Sequence, residues 1–154
     1  MRILFVHQNF PGQFVHLAPA LRARGHDVQA LTYERNERPS PVPVTKYPIR
    51  LEGKVPEFTP VVHQFAVAAI RGREVALTAA EMREKGYVPD FIFGHLGWGE
   101  TLFLKEVWPE ARLALYGGNS ATIDQAIALK SPLAGIVVDG LIRDTNTIRT
   151  LDIP

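Results

Sequence analysis

The sequence contains no cysteine in 154 residues, which excludes disulfide scaffolds, thiolate zinc sites, iron–sulfur clusters and cysteine nucleophiles together. Long hydrophobic runs are missing as well. The apolar stretch Ile3 to Val6 is broken by His7 and Gln8, too short for a signal peptide, and no later stretch reaches the roughly 18 residues of a membrane span. Charge of one sign is not in excess: 17 Lys and Arg stand against 16 Asp and Glu, with no block of like charge, so no nucleic-acid surface is indicated. Neither a G-x-G-x-x-G nor a Walker loop occurs, so nicotinamide, flavin and ATP readings fail by motif. The five histidines form no H-x-H or H-E-x-x-H pair, which argues against zinc. The expectation is a soluble, cytoplasmic protein that binds neither nucleic acid nor membrane.

What is present is an ordinary globular composition, 46% hydrophobic and 21% charged, in a chain long enough to bury a core without a covalent or metal staple. Arg2 to His7 reads as a buried strand, Gln13 to Arg24 as a helix ended by Gly25, and Asp27 to Thr32 as a second strand, which together make a βαβ unit. The prolines at 39, 41, 43, 48, 56 and 60 make Arg35 to Pro60 irregular, although Val42 to Tyr47 fits an edge strand. Val61 to Lys85 predicts a helix with one apolar face of Phe65, Ala68, Ala69, Ala76, Leu77 and Ala80, a weak point at Gly72 and an end at Gly86. Strands are expected at Asp90 to Gly94 and Arg112 to Tyr116, with a helix over Trp98 to Val107 between them. The rhythm continues with helical patterns at 120–129 and 144–151 and a strand at 135–138. It predicts an α/β fold: a single three-layer Rossmann-like domain over residues 1–154, with a mostly parallel sheet and its ligand at the carboxyl ends of the strands.

Three segments carry chemistry. His7 to Gln13 leaves the first strand for the first helix, where backbone N–H groups favour an anion and Gly12 admits close approach; Asn9 and Gly12 are the candidate binding residues, and a plain strand-to-helix turn is the alternative. Gly94 to Glu100 crowds three glycines with a His, a Trp and a Glu at another strand end. His95, Gly97 and Glu100 are its candidates, and the competing reading is a glycine-softened turn with Trp98 packed in the core. In the third segment, after the strand at 135–138, Arg143 could grip a carboxylate and Asp144 face a divalent metal through water, or Asp144 simply caps the last helix.

Residues 1 to about 116 resemble the N-terminal domain of retaining glycosyltransferases of the GT-B fold, family 4. The likeness rests on Met1-Arg2-Ile3-Leu4-Phe5-Val6-His7-Gln8-Asn9-Phe10-Pro11-Gly12-Gln13-Phe14, on Leu21-Arg22-Ala23-Arg24-Gly25-His26-Asp27-Val28, and most specifically on His95-Leu96-Gly97-Trp98-Gly99-Glu100-Thr101. The resemblance implies a domain that receives the acceptor while a second domain holds the nucleotide sugar, with the loops at Asn9 to Gly12 and His95 to Glu100 facing the cleft between them. After Tyr116 the pattern departs from that family and no second domain is expected. Ala134 to Asp144 and Leu151 to Pro154 instead look like a piece of the RraA-like family, which includes 4-hydroxy-4-methyl-2-oxoglutarate aldolases. That likeness implies substrate binding by Arg143 and a metal ligand at Asp144.

Two families meeting near Tyr116 to Gly118 imply an engineered chimera without a complete catalytic site and with little turnover, since losing the alignment of two reactants forfeits about 7 to 11 kcal/mol of barrier reduction. No cofactor is expected, and weak binding of a sugar or nucleotide sugar is. Two enzyme readings stay beside it: a transferase half working with a separate donor-binding chain, and a Mg2+-dependent aldolase acting on a 2-oxo acid. The apolar final residues Leu151 and Ile153 leave room for homo-oligomers through an added edge strand.

Overall fold

A computed structural model describes residues 1–50 and 60–117. Among them five strands, β1 (Arg2–Val6), β2 (Asp27–Tyr33), β3 (Val44–Tyr47), β4 (Phe91–His95) and β5 (Arg112–Tyr116), form one all-parallel sheet in the order β3-β2-β1-β4-β5. β1 lies at the centre because Ile3, Leu4, Phe5 and Val6 are apolar on both faces, as a strand covered above and below must be. Alternation along it sends Ile3 and Phe5 to one core and Leu4 and Val6 to the other. The first core is closed by α1 (Leu17–Ala23) through Leu17, Ala18 and Leu21; the second by α2 (Pro60–Glu84) through Val75, Ala79 and Met82, with Leu104 of α3 (Leu104–Val107). The three-layer Rossmann-like α/β fold expected from the sequence is what the chain adopts.

Local punctuation follows the expected residues. Gly25 follows the last turn of α1 with φ +85°, its N–H bonded to the carbonyl of Arg22, and Gly86 ends α2 with φ +86°. The proline-rich stretch does yield the edge strand β3, two residues shorter than the pattern allows, paired with β2 only. The first predicted helix is split into a 3-10 turn at Gly12–Phe14 and α1 proper.

Two expectations are corrected. Helix Trp98 to Val107 shrinks to the single turn of α3, because Gly99 takes φ +91° and the chain from Leu96 to Phe103 runs as successive turns. The apolar face assigned to α2 is not its core face: Phe65 is 71% and Leu77 48% exposed and its alanines are half-buried, while the buried face carries Gly72, Val75, Ala79 and Met82 together with Glu74 and Thr78. The outward residues Ala69, Ile70, Ala76 and Leu77 instead line an open groove of about 510 Å3 with Arg73 and Phe103. Alanine-rich sequence has little power to select a face, and the choice is made by backbone contact. A Cβ on Gly72 would stand 2.6 Å from the carbonyl oxygen of Gly99, and one on Gly99 would collide with the backbone of Ala68. Gly72 is thus a close approach within an unbroken helix rather than a weak point.

The segments at 120–129, 135–138 and 144–151, and with them Arg143 and Asp144, lie outside the described residues.

Candidate functional site

The strand order reverses direction between β1 and β4: from β1 the chain steps through β2 to β3 on one side, then returns to β4 and β5 on the other. Loops leaving the carboxyl ends of two strands at such a switch point diverge and leave a crevice. Those loops are His7 to Gly12 and His95 to Glu100, the two that the sequence singles out.

His7 and His95 face each other across the crevice with ring centroids 6.0 Å apart. Each ring is pinned by its own loop. Nδ1 of His7 accepts the backbone N–H of Asn9 at 3.0 Å, and Nδ1 of His95 accepts that of Gly97 at 3.0 Å. A neutral imidazole whose Nδ1 accepts must carry its proton on Nε2, so both rings offer an N–H donor at that edge. Burial keeps them neutral: it pushes His7 from an ordinary 6.5 down to about 4, helped by His95 and the Arg38 charge, and it lowers His95 as well.

The glycines serve these rings. Gly12 has φ +49°, and a Cβ there would lie 2.9 Å from Cε1 and 3.3 Å from Nε2 of His7, so a side chain would cover the donor edge. At Gly97 a Cβ would touch Cε1 of His95 at 3.4 Å. Trp98, 44% exposed, stands 5.8 Å from the His95 ring and is not the core residue of the competing reading.

Glu100 sits differently from its loop neighbours. It is fully buried, and its Oε1 accepts the Gln8 N–H at 2.9 Å and the Tyr47 hydroxyl at 3.2 Å, tying the β4 loop to the β1 loop and to β3. Burial pushes its carboxyl above the usual range, against the opposing pull of its own backbone N–H, the Arg71 charge and those two donors. Arg71 on α2 holds the same loop by donating to the carbonyl of Trp98 at 2.6 Å. On the other wall Thr32 donates to the carbonyl of Gln8, Asn36 donates to that of Phe10 and to Thr32, and Arg38 reaches the carbonyl of Asn9. The Phe10–Pro11 peptide is cis.

Asn9, Gly12, His95 and Gly97 therefore border one crevice, with Glu100 beneath it. His7 enters as a ring of equal standing with His95. The supports Thr32, Asn36, Tyr47 and Arg71 carry no sequence motif; only the position of Thr32 at the end of a strand beside the switch point offers a hint. Among the described residues no three His, Asp or Glu gather as a metal-ligating group. A metal at either Nε2 would also require the ring proton on Nδ1, where a backbone N–H already points.

The sequence profile described as glycosyl transferase family 4 group matches residues 24–117, more than half of the chain. The chain belongs to the glycosyl transferase family 4 group. No curated protein matches it. Solved structures that share the fold of this family 4 chain include the Streptomyces sp. SF2575 glycosyltransferase SsfS6 complexed with thymidine diphosphate, 18% identical with a TM-score of 0.53 over 82% of this chain and 43% of that one. The glycosyltransferase VinC in complex with DTDP is 16% identical, TM-score 0.53, covering 88% and 39%. Apo UGT2 of Phytolacca americana is 14% identical, TM-score 0.55, covering 94% and 35%. The family 4 chain thus spans less than half the length of these structures. The family match stops at residue 117, and none of these matches is RraA-like.

Proposed function

We propose that this family 4 chain is the acceptor-binding half of a sugar transferase and that the crevice between His7 and His95 receives the acceptor. The observation that carries this reading is the pair of Nε2–H donors held at the sheet's switch point by two loops, the first of which leaves the His7 donor edge bare at Gly12. A sugar hydroxyl that will attack a donor must first be oriented, and fixed N–H donors with an exposed Trp98 as an apolar platform supply that. Transfer itself needs a nucleotide sugar aligned on the opposite wall, and the solved nucleotide complexes of similar fold favour such a donor.

Calorimetric titration of a monosaccharide panel and a nucleotide-sugar panel into the full chain tests this. Monosaccharides should bind weakly, and Gly97→Val, which sets a branched side chain against the His95 ring at a position without positive φ, should abolish binding while the remote His63→Ala leaves it intact. Equal binding by Gly97→Val and the parent would reject the reading.

The chimeric reading, a single domain over 1–154 joining a transferase half to an RraA-like piece, rests on the resemblance of residues 117–154 alone. Its aldolase form predicts Mg2+-dependent pyruvate release that Arg143→Ala abolishes; no pyruvate at high protein concentration would remove it.

A further inference from the structure

α2 is apolar on two opposite sides. Val75, Ala79 and Met82 face the core, while the side turned away carries Phe65, Ala69, Ala76 and Leu77, with Arg73 as its one charge. A helix with apolar surface on both sides calls for cover on both. The outer stripe has little of it: Phe65 is the most exposed large apolar side chain among the described residues, Val62 is 44% exposed, and Phe103 beside the stripe is 40% exposed. With the half-buried alanines these residues leave on the order of 400 Å2 of apolar surface, the extent that on a monomer marks an interaction site.

The order of residues along the stripe says what covers it. It is symmetric about the level of Arg71: Val62 stands as far before that point as Ala80 stands after it, and so do Phe65 and Leu77, Ala66 and Ala76, and Ala69 and Arg73. Two copies of α2 laid antiparallel about that point therefore bring the stripe onto itself, as an isologous twofold contact requires. Phe65 then meets Leu77 of the second copy and enters the groove of about 510 Å3 that Leu77 lines with Ala76 and Phe103. The alanines allow the two helices to come close. Charge agrees with this register, because Arg73 faces Ala69 of the second copy rather than another arginine, and its guanidinium is already paired with Glu74 at 2.8 Å. With a polar rim in the usual proportion, the contact comes to roughly 600 Å2 per copy, the lower range of a stable dimer.

We infer that this face is an interface between two copies of the chain, α2 against α2 about a twofold axis at the level of Arg71. The loop after β4 packs on the first half of α2, at Ala68 and Arg71, so the antiparallel contact sets the two crevices toward opposite ends of the pair.

Sedimentation velocity of the full chain over a range of concentrations tests this, with amide spectra confirming that each variant folds. The parent should dimerise. Phe65→Asp and Leu77→Lys, both at exposed positions, should each weaken the dimer about tenfold or more by burying an unpaired charge. An equal mixture of the two variants should dimerise again, because the antiparallel register sets the new carboxylate against the new ammonium at one contact and keeps Phe65 against Leu77 at the other. A parent chain that stays monomeric would overturn the inference, whether its stripe then shows contacts with residues 118–154 or with nothing. A dimer that both variants leave intact, or that the mixture does not restore, would place the contact elsewhere and overturn it as well.

Discussion

At the residue scale, the neutral state of His7 links the crevice to stability. The folded chain holds this ring near 4 while the unfolded chain protonates it at 6.5, so between those values the unfolded state binds the extra proton. Stability is therefore fully present above about pH 6.5 and falls as pH drops toward 4, by about 3 kcal/mol at most for this ring. Unfolding in urea across that range should show the loss, and His7→Gln should flatten it; an unchanged slope would mean that His7 is not protected. Glu100 acts in the opposite sense, since its raised carboxyl loses stability as pH climbs from 4.5 through its higher folded value. Removing it is a separate matter: Glu100→Ala strands the Gln8 and Tyr47 donors and should cost about 3 kcal/mol, whereas Glu100→Gln keeps an acceptor oxygen and should cost about 1. Equal denaturation midpoints for the two variants would contradict the clamp.

At the element scale, the β4 loop is docked to α2 backbone against backbone. Gly99→Ala combines a left-handed φ with a collision at Ala68 and should lower stability by more than about 2 kcal/mol. Gly86→Ala has a similar φ, +86°, but open space around it, and should cost only about 1 kcal/mol. Thermal melts that rank the two the other way round would refute the docking. This is also where sequence reading reaches its limit. Strands β1, β2, β4 and β5 were legible because unbroken apolar runs ended by turn residues need no partner to be recognised. The inward face of α2 was not, because an alanine-rich helix presents several apolar stripes and a glycine-to-carbonyl contact at Gly72 decides among them. The helix over 98–107 failed for a related reason: the glycines that marked the loop as functional also shorten the helix.

At the scale of the whole molecule, the two loops were found from residue type, but what unites them is topology: β1 and β4 are neighbours only because the chain crosses back past its own first strand. His7 and His95 are 88 positions apart in sequence and 6.0 Å apart in space. The same topology separates the crevice residues from those of the apolar groove on α2, which shares none of them. No helix among the described residues is long and apolar enough to cross a membrane. The central claim is that this crevice, and not the groove, receives the sugar. An amide correlation spectrum of the full chain titrated with glucose and glucose 6-phosphate tests it most directly. The account predicts shifts concentrated at Asn9, Gly12, His95 and Gly97; shifts confined to Ala69, Ala76, Leu77 and Phe103 would contradict it.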